Sequence, residues 1–121
     1  MVEPFASRCS EEQLLAAVDF AVARIQSWVS NGSCITLWEG AVRHGVHHKT
    51  DAGQFVDFYR QVTGARSRGC GFADIDADDW RAMGDRQQRD IRVDRLKKFR
   101  SAVVNMYKAA AANGDGKGEQ K

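Results

Sequence analysis

The chain has 121 residues, of which 43% are hydrophobic and 28% are charged, values that are ordinary for a globular protein. A chain of this length fits one domain that can bury its own core without disulfides or metals. The net charge of only +2 excludes a protein that is basic throughout, so any basic binding surface must be local.

The sequence also bears on membranes and on the redox compartment. No apolar stretch approaches the roughly 20 residues that a membrane span needs, and Met1–Arg8 lacks the basic and apolar regions of a signal peptide. Cys9, Cys34 and Cys70 are an odd number of cysteines at wide spacing, which argues against a disulfide framework. We therefore expect a cytoplasmic protein without a membrane partner.

A capping box marks the start of the first predicted helix. In such a box the Ser10 side chain accepts from the backbone of Gln13, whose own side chain reaches back to the cap. Apolar residues then recur at helical spacing, and Trp28 widens this stripe before the stop signal Asn31-Gly32. The pattern predicts a helix over residues 11–30 with its tryptophan in the core.

Two shorter helices follow. A second capping box, at Thr36 and Glu39, opens a helix that Gly45 ends. Either Thr50 or Asp51 then caps the third helix. Both helices place their apolar residues on one face, so we expect them to pack into the same core.

The second half of the chain begins with a loop rich in glycine and arginine over residues 64–75. Asp76 caps a short helix that carries Trp80, and Asp85 opens a long basic fifth helix. The apolar positions of the fifth helix follow a 3-4 spacing that is typical of a bundle or coiled-coil seam. That seam consists of Leu96, Phe99, Val103 and Met106.

These elements define the expected fold class. The sequence predicts an all-α protein with about five helices in a small bundle, one domain over residues 1–112 and a long C-terminal helix. Asn113-Gly114 would end that helix. Residues 113–121 are rich in glycine and charge, and we expect a disordered tail there.

Residues 36–63 match part of the helix-turn-helix pattern of DNA-binding proteins. Ala41 is a small residue four positions before the Gly45 turn, and an apolar valine follows the glycine. The second helix departs from the pattern, because Asp51 stands where an apolar residue is expected. The alternative is a pair of ordinary core helices joined by a glycine turn.

The fifth helix is a candidate for binding acidic partners. Residues 86–108 hold eight basic and two acidic side chains. Lysine and arginine side chains that contact phosphates release counterions, so this stretch could hold nucleic acid, or equally an acidic protein surface. The alternative is a solvated face on which Asp90 and Asp94 pair with neighbouring arginines along the helix.

Metal sites and catalysis have little support in the sequence. The histidines and cysteines lack the spacing of a zinc site, and the aspartates between Asp74 and Asp85 lack the glycine and glutamate of a calcium loop. No motif for a catalytic nucleophile or a phosphate loop is present. We therefore expect no metal, no cofactor and no enzymatic activity.

The leading expectation is a non-enzymatic DNA-binding regulatory or accessory protein. In general style the chain resembles the small accessory proteins that phages and plasmids encode. Residues 36–63 would dock at a groove of duplex DNA, and the seam Leu96, Phe99, Val103 and Met106 would pair two subunits. The residues expected to contact nucleic acid or an acidic partner are Arg43, His47, His48, Lys49, Gln54, Arg60, Arg66, Arg68, Arg86, Arg89, Arg92 and Arg95.

A small protein-binding inhibitor or adaptor is the alternative, for example an anti-defence protein that blocks a host nuclease complex. Such a protein needs no active site, and its basic helix would meet an acidic surface. The folded charge distribution tests whether the basic helix binds nucleic acid at all. A continuous basic stripe would favour nucleic acid, whereas arginines paired with aspartates would favour a solvated face.

Overall fold

The computed structural model describes residues 4–66 and 70–119, with side chains described as far as residue 112. Within these ranges the chain contains no strand, and its extended backbone is limited to one isolated antiparallel bridge between Ala65 and Phe72. The prediction of a helical bundle is confirmed. Its elements are a 3₁₀ helix at Pro4–Arg8, α1 at Glu11–Gln26, α2 at Ser33–Arg43, α3 at Asp51–Thr63, α4 at Ala77–Ala82 and α5 at Asp85–Glu119.

The start of α1 is the predicted capping box, and its end comes earlier than predicted. The Ser10 hydroxyl accepts from Gln13 N at 3.1 Å, and Gln13 Oε1 accepts from Ser10 N at 2.9 Å. The helix ends at Gln26 because Trp28 takes a left-handed backbone conformation, with φ of +65°. Val29 N then donates to Arg24 O at 2.9 Å, which closes the helix as a Schellman turn.

The second predicted capping box is wrong. Helix α2 begins at Ser33, after Gly32, so Thr36 lies inside it. The Thr36 hydroxyl donates at 2.7 Å to the backbone oxygen of Gly32, the residue that precedes the helix and occupies the cap position. Glu39, the expected partner in the box, pairs instead with Arg43 at 3.2 Å.

Helix α3 follows a connector, residues 44–50, in which one residue is buried. Val46 is 4% exposed, and Asp51, the first residue of α3, is also 4% exposed. Arg8 of the N-terminal 3₁₀ helix reaches Asp51 Oδ1 at 2.8 Å. This ion pair explains how a carboxylate occupies a position where the sequence pattern calls for an apolar residue.

Helix α5 is longer than predicted. Asn113-Gly114 does not end it, and its backbone continues to Glu119. Four alanines over residues 109–112 precede that point, and once a helix has formed each further residue adds a hydrogen bond without a new nucleation cost. The last two residues of the predicted tail lie outside the described part of the chain. No helix in that part, α5 included, is long and apolar enough to cross a membrane.

The core lies where α1, α2, α3 and α5 face each other. Phe99 of α5 is at its centre, with ring centroids 5.3 Å from Phe55 and 5.2 Å from Tyr59, both of α3. Helices α1 and α2 approach closely at Gly40, where an added Cβ would lie 2.9 Å from Ala17 O. Helix α5 packs mainly against α1 and also against α3.

This packing corrects the predicted dimer seam. Leu96, Phe99 and Val103 are 0% exposed and Met106 is 9% exposed, all within a single chain. The 3-4 spacing does mark a packing face, but helices of the same chain cover it. A second copy could reach these side chains only if the bundle opened.

Candidate functional site

Several arginines of α5 make contacts inside the fold. Three of them, spaced one turn apart, place their guanidinium groups over aromatic rings of other elements. The distances from guanidinium carbon to ring centroid are 4.8 Å for Arg89 and Trp28, 5.1 Å for Arg92 and Trp80, and 4.7 Å for Arg95 and Phe72. Cation–π contacts of this kind stabilise the fold and hold the arginine side chains in place.

Arg95 is held by hydrogen bonds in addition to its contact with an aromatic ring. Its two terminal nitrogens donate to the two carboxylate oxygens of Asp74 at 2.8 and 2.9 Å, and one of them also faces Thr63 O at 3.4 Å. The hydrogen bonds from Arg95 lower the pKa of the Asp74 carboxyl. This bidentate pair ties the loop before α4 to the middle of α5.

The other α5 cations do not form one uninterrupted stripe. Arg89 pairs with Asp90 at 3.0 Å, and Arg100 pairs with Asp19 of α1 at 2.9 Å. Arg86 is exposed, as are Lys97 and Lys98. The arrangement is therefore nearer to arginines paired with aspartates than to a continuous basic surface.

The predicted contacts in and near the α2–α3 connector lie on the surface. Arg43 pairs with Glu39, and its guanidinium carbon is also 5.3 Å from the Phe20 ring. The His47 and His48 rings stack with centroids 5.3 Å apart, and Lys49 beside them is exposed.

The remaining predicted contacts lie on and beyond α3. Gln54, Arg60 and Arg66 are exposed, and the last two border the same shallow depression at the C-terminal end of α3. Arg68 lies outside the described residues.

The α2–α3 pair does not have the geometry of a DNA-binding helix-turn-helix. Its connector comprises residues 44–50, about twice the three or four residues of the turn that defines the motif. The connector also packs inward through Val46, and Trp38 Nε1 faces His48 O at 3.4 Å. The two helices therefore fit the alternative of ordinary core helices joined by a glycine turn, with Gly45 at φ of +91°.

The described surface contains an open, mostly apolar groove between α2 and α3. Its volume is about 580 Å³, within the range typical of ligand sites. Gly53 of α3 explains why the space is open, since a Cβ added there would meet no atom within 4 Å. The lining residues are Asn31, Gly32, Cys34, Ile35, Trp38, Gly53, Val56, Asp57 and Arg92.

Large hydrophobic side chains are exposed on the wall of this groove and in the loop that precedes α2. Ile35, which lines it, is 61% exposed, and the preceding α1–α2 loop exposes 50% of Trp28 and 62% of Val29. Trp28 was expected in the core, and the structure corrects this prediction. Its left-handed backbone conformation is costly for a bulky residue, and strain of this kind concentrates at functional sites.

Arg92 is the one charged side chain of α5 that lines the groove, among the residues that the structure describes. It is 8% exposed and also lines a smaller cavity beside Phe72 and Trp80. Burial lowers the pKa of this guanidinium, which nevertheless stays charged at neutral pH. The groove therefore combines apolar walls with Arg92, a residue that is mostly buried, and with the exposed carboxylate of Asp57.

A buried hydroxyl lies close to the same region. Tyr59 is 0% exposed, and burial raises the pKa of its hydroxyl to about 12. The nearby Ser33 and Thr63 hydroxyls act in the opposite direction on this pKa, yet no described group forms a hydrogen bond with the Tyr59 oxygen. The Tyr59 hydroxyl is also near enough to Arg92 to affect the pKa of that arginine.

The groove shows no arrangement for catalysis or metal binding within the described residues. Burial raises the pKa of the Cys34 thiol, so it is protonated at neutral pH and is a poor nucleophile. No group of three histidine, cysteine or acidic side chains in the described ranges could hold a metal ion. The chemistry that this groove offers is apolar contact, with one basic side chain, Arg92, and one acidic side chain, Asp57, in its lining.

Sequence reasoning identified Arg92 but missed the groove that it lines. The helical spacing of Cys34, Ile35 and Trp38 was a usable signal, because together they make the apolar face of α2 wider than one packing neighbour covers. Gly53 inside a helix was a second signal, since glycine there costs about 0.5–1 kcal/mol relative to alanine.

Comparisons of the chain with protein-family models, with curated proteins and with solved structures found no match.

Proposed function

We propose that this protein is a small non-enzymatic adaptor or inhibitor that holds an apolar segment of another protein in the groove between α2 and α3. The observation that carries the proposal is the groove itself with the exposed Ile35 on its wall, together with the exposed Trp28 and Val29 in the loop that leads to Asn31 at its edge. Exposed apolar surface beyond scattered single side chains often marks an interaction site.

The position of the exposed side chains favours a protein over a small molecule. Trp28 and Val29 are exposed but do not line the groove, so a ligand confined to the concavity would leave them in water. A protein segment that fills the groove and continues over the α1–α2 loop would cover both. Buried tryptophan and arginine side chains are also the commonest energetic centres of protein interfaces.

Binding to duplex DNA stays a prediction. Burial of Arg92 and the Asp74 pair at Arg95 leave fewer α5 cations to meet phosphates. The exposed basic residues among the predicted contacts include Lys49, Arg60 and Arg86. Weak, strongly salt-dependent binding is what such scattered cations would give.

The groove can be closed without disturbing the fold, which allows a direct test. Gly53→Met adds a side chain into open space at a helical position, so the variant should fold as well as the natural chain. The matched control is Gln54→Met, one residue along α3 on its exposed side. Peptides are selected on the natural chain from a displayed random library, and their affinities for all three proteins are measured.

The expected result is that Gly53→Met weakens the selected peptides by about tenfold or more, equal to about 1.4 kcal/mol, while Gln54→Met binds normally. Equal binding to all three proteins, or failure to select any peptide, would contradict the proposal. A fluorescence anisotropy titration with duplex DNA across a range of salt concentrations tests the other prediction on the same samples.

A further inference from the structure

We propose that two copies of this chain associate face to face, each placing its Trp28 side chain in the α2–α3 groove of the other. The inference goes beyond the proposed function, because it names a second copy as an occupant of the same groove. The dimer itself does not depend on the proposed function, whereas its consequence rests on it. A partner segment would have to displace the Trp28 side chain of the other copy from the groove.

The first support is that a projecting side chain and a groove lie close together on one chain. Trp28 and Val29 are 50% and 62% exposed. Trp28 comes three residues before Asn31 of the groove lining, so their Cα atoms are at most about 11 Å apart. The Trp28 ring centroid is 4.8 Å from the guanidinium carbon of Arg89, which lies one turn of α5 before Arg92 of the lining. Trp28 therefore lies near the rim of a groove that it does not itself line.

A face that holds both a projecting side chain and a groove can pair with its own copy. In a two-fold contact the same patch lies on both sides, so the contact of Trp28 with the groove forms twice. Each copy then hides one indole ring and one groove from water. A second copy therefore covers both apolar surfaces at once.

The groove suits an indole ring in size and in lining. Its volume of about 580 Å³ is within the range of pockets that hold drug-sized ligands, which are larger than a tryptophan side chain. Its walls include Ile35, Trp38 and Val56. The contact with Arg89 holds the Trp28 ring outside the groove of its own chain. A side chain that is held in place before binding loses less conformational entropy when it binds.

The charges on this face are balanced, as a face that meets its own copy requires. Among the described residues that line the groove, one is acidic and one is basic, Asp57 and Arg92. Arg89, which contacts Trp28, pairs with Asp90 at 3.0 Å. An excess of one sign would bring like charges together across the two-fold axis and repel the second copy. Apolar contact can therefore drive the association.

The area that a weak dimer needs is small compared with the surface of the chain. Transient interfaces bury less than about 1,200 Å² in total, or about 600 Å² from each copy. This is less than a tenth of the 7150 Å² accessible surface of the chain. Trp28, Val29 and Ile35 supply three large apolar side chains that are each at least half-exposed. We therefore expect single chains at low micromolar concentration and pairs as the concentration approaches millimolar.

Sedimentation velocity on the full chain measures this association over a range of concentrations. The natural chain should shift from the mass of one chain towards that of two. Trp28→Ala removes the projecting side chain and keeps the groove, whereas Gly53→Met fills the groove and keeps Trp28. Each variant alone should associate at least about tenfold more weakly than the natural chain, and the control Gln54→Met should associate normally.

An equal mixture of the two variants tests the reciprocal contact. The Trp28 side chain of Gly53→Met can enter the open groove of Trp28→Ala, so one of the two contacts forms again. The mixture should therefore associate more tightly than either variant alone and less tightly than the natural chain. A natural chain that stays monomeric near millimolar concentration would overturn the inference. Association that persists in either variant, or a mixture that associates no more tightly than its components, would overturn it too.

The same samples separate this inference from the proposed function. If the natural chain is monomeric but Gly53→Met still weakens its selected peptides, only the dimer is wrong. If the mixture regains association but dilute natural chain selects no peptide, the dimer is supported and the proposed function is wrong.

Discussion

Trp28 carries the clearest conflict between local conformation and residue type in the described chain. Its φ of +65° closes α1 in a turn that normally favours glycine, and the tryptophan is still half-exposed. A left-handed conformation costs a non-glycine residue about 1–2 kcal/mol. The contact with Arg89 at 4.8 Å recovers about 0.5–1 kcal/mol of this. The fold alone therefore gives little reason for a tryptophan here, whereas a binding surface does.

Two substitutions at Trp28 separate backbone strain from binding. Trp28→Gly should change the free energy of unfolding by less than about 1 kcal/mol, because the relief of strain offsets the lost contact with Arg89. Trp28→Ala keeps the strain and loses the contact, so it should be less stable than the glycine variant by about 1 kcal/mol. Urea unfolding of both variants measures this difference.

Binding gives the second readout for the same pair of variants. Both should weaken groove-selected peptides by about tenfold or more, since loss of a tryptophan anchor does not depend on what replaces it. Alanine and glycine variants of equal stability would show that position 28 is unstrained. Unchanged peptide affinity would exclude Trp28 from the interface.

At the scale of elements, glycines in two helices have opposite roles although both lie within regular helical backbone. Gly40 of α2 lies against α1, where an added Cβ would be 2.9 Å from both Ala17 O and Phe20 Cδ2. Gly53 of α3 faces the open groove. The first glycine permits close packing of two helices, and the second leaves space for a ligand.

The same substitution at these two positions should therefore change stability in opposite directions. Gly40→Ala forces a methyl group against backbone atoms that cannot move far, and we expect a net loss of about 1–2 kcal/mol. Gly53→Ala only improves helix propensity and should gain about 0.5–1 kcal/mol. Thermal or urea unfolding of both variants measures the two signs. A Gly53→Ala variant less stable than the natural chain would mean that the groove is filled in solution.

Sequence reasoning at this scale succeeded where the signal is local. The box at Ser10 and Gln13 and the cap at Asp76 both involve neighbours in the chain, and the structure contains each of them. The box at Thr36 failed because a competing helix start at Ser33 placed that residue in the helix interior. Local patterns identify candidate caps, but packing decides which of them is used.

The candidate site was less accessible to sequence reasoning, because it depends on distant parts of the chain. The charge of Arg92 is visible in the sequence, but its position in the groove lining and its contact with Trp80 depend on tertiary packing. The apolar spacing of Leu96 and Phe99 was read correctly as a packing face, yet spacing alone cannot say whether the covering helix belongs to the same chain.

At the scale of the whole molecule, three ion pairs join elements that are far apart in the chain, one of them the pair of Arg100 with Asp19 described above. Arg8 binds Asp51 at 2.8 Å and connects the N-terminal 3₁₀ helix to α3, and Arg95 binds Asp74 and connects α5 to the loop before α4. The hydrogen bonds from these arginines lower the pKa of both carboxyls below their ordinary value of 3.8. Pairs of this kind make the stability of the bundle depend on pH.

The sign of that dependence follows from the direction of the pKa shifts. A carboxyl with a lowered pKa in the folded state stabilises the fold above its unfolded pKa of about 3.9, and the contribution disappears as the pH falls through the lower folded value. The natural chain should therefore lose stability as the pH drops below about 4. Asp51→Asn and Asp74→Asn should each be less stable at neutral pH and should lose less on acidification, so their unfolding curves approach that of the natural chain at low pH.

The control is Asp78→Asn, because Asp78 pairs with Arg81 inside the short helix α4 and joins no distant elements. Exposed pairs of that type contribute about 0–1 kcal/mol, so this variant should follow the natural chain at every pH. Urea unfolding at several pH values between neutral and strongly acid measures all four proteins. If the free energies of unfolding of Asp51→Asn and Asp74→Asn fell by the same amount as that of the natural chain down to low pH, the acid sensitivity would have to come from other carboxyls. If instead each variant loses less free energy of unfolding on acidification than the natural chain, the two ion pairs account for part of the acid sensitivity. The N-terminal segment and the loop before α4 should then detach at a higher pH than the one at which the core around Phe99 unfolds.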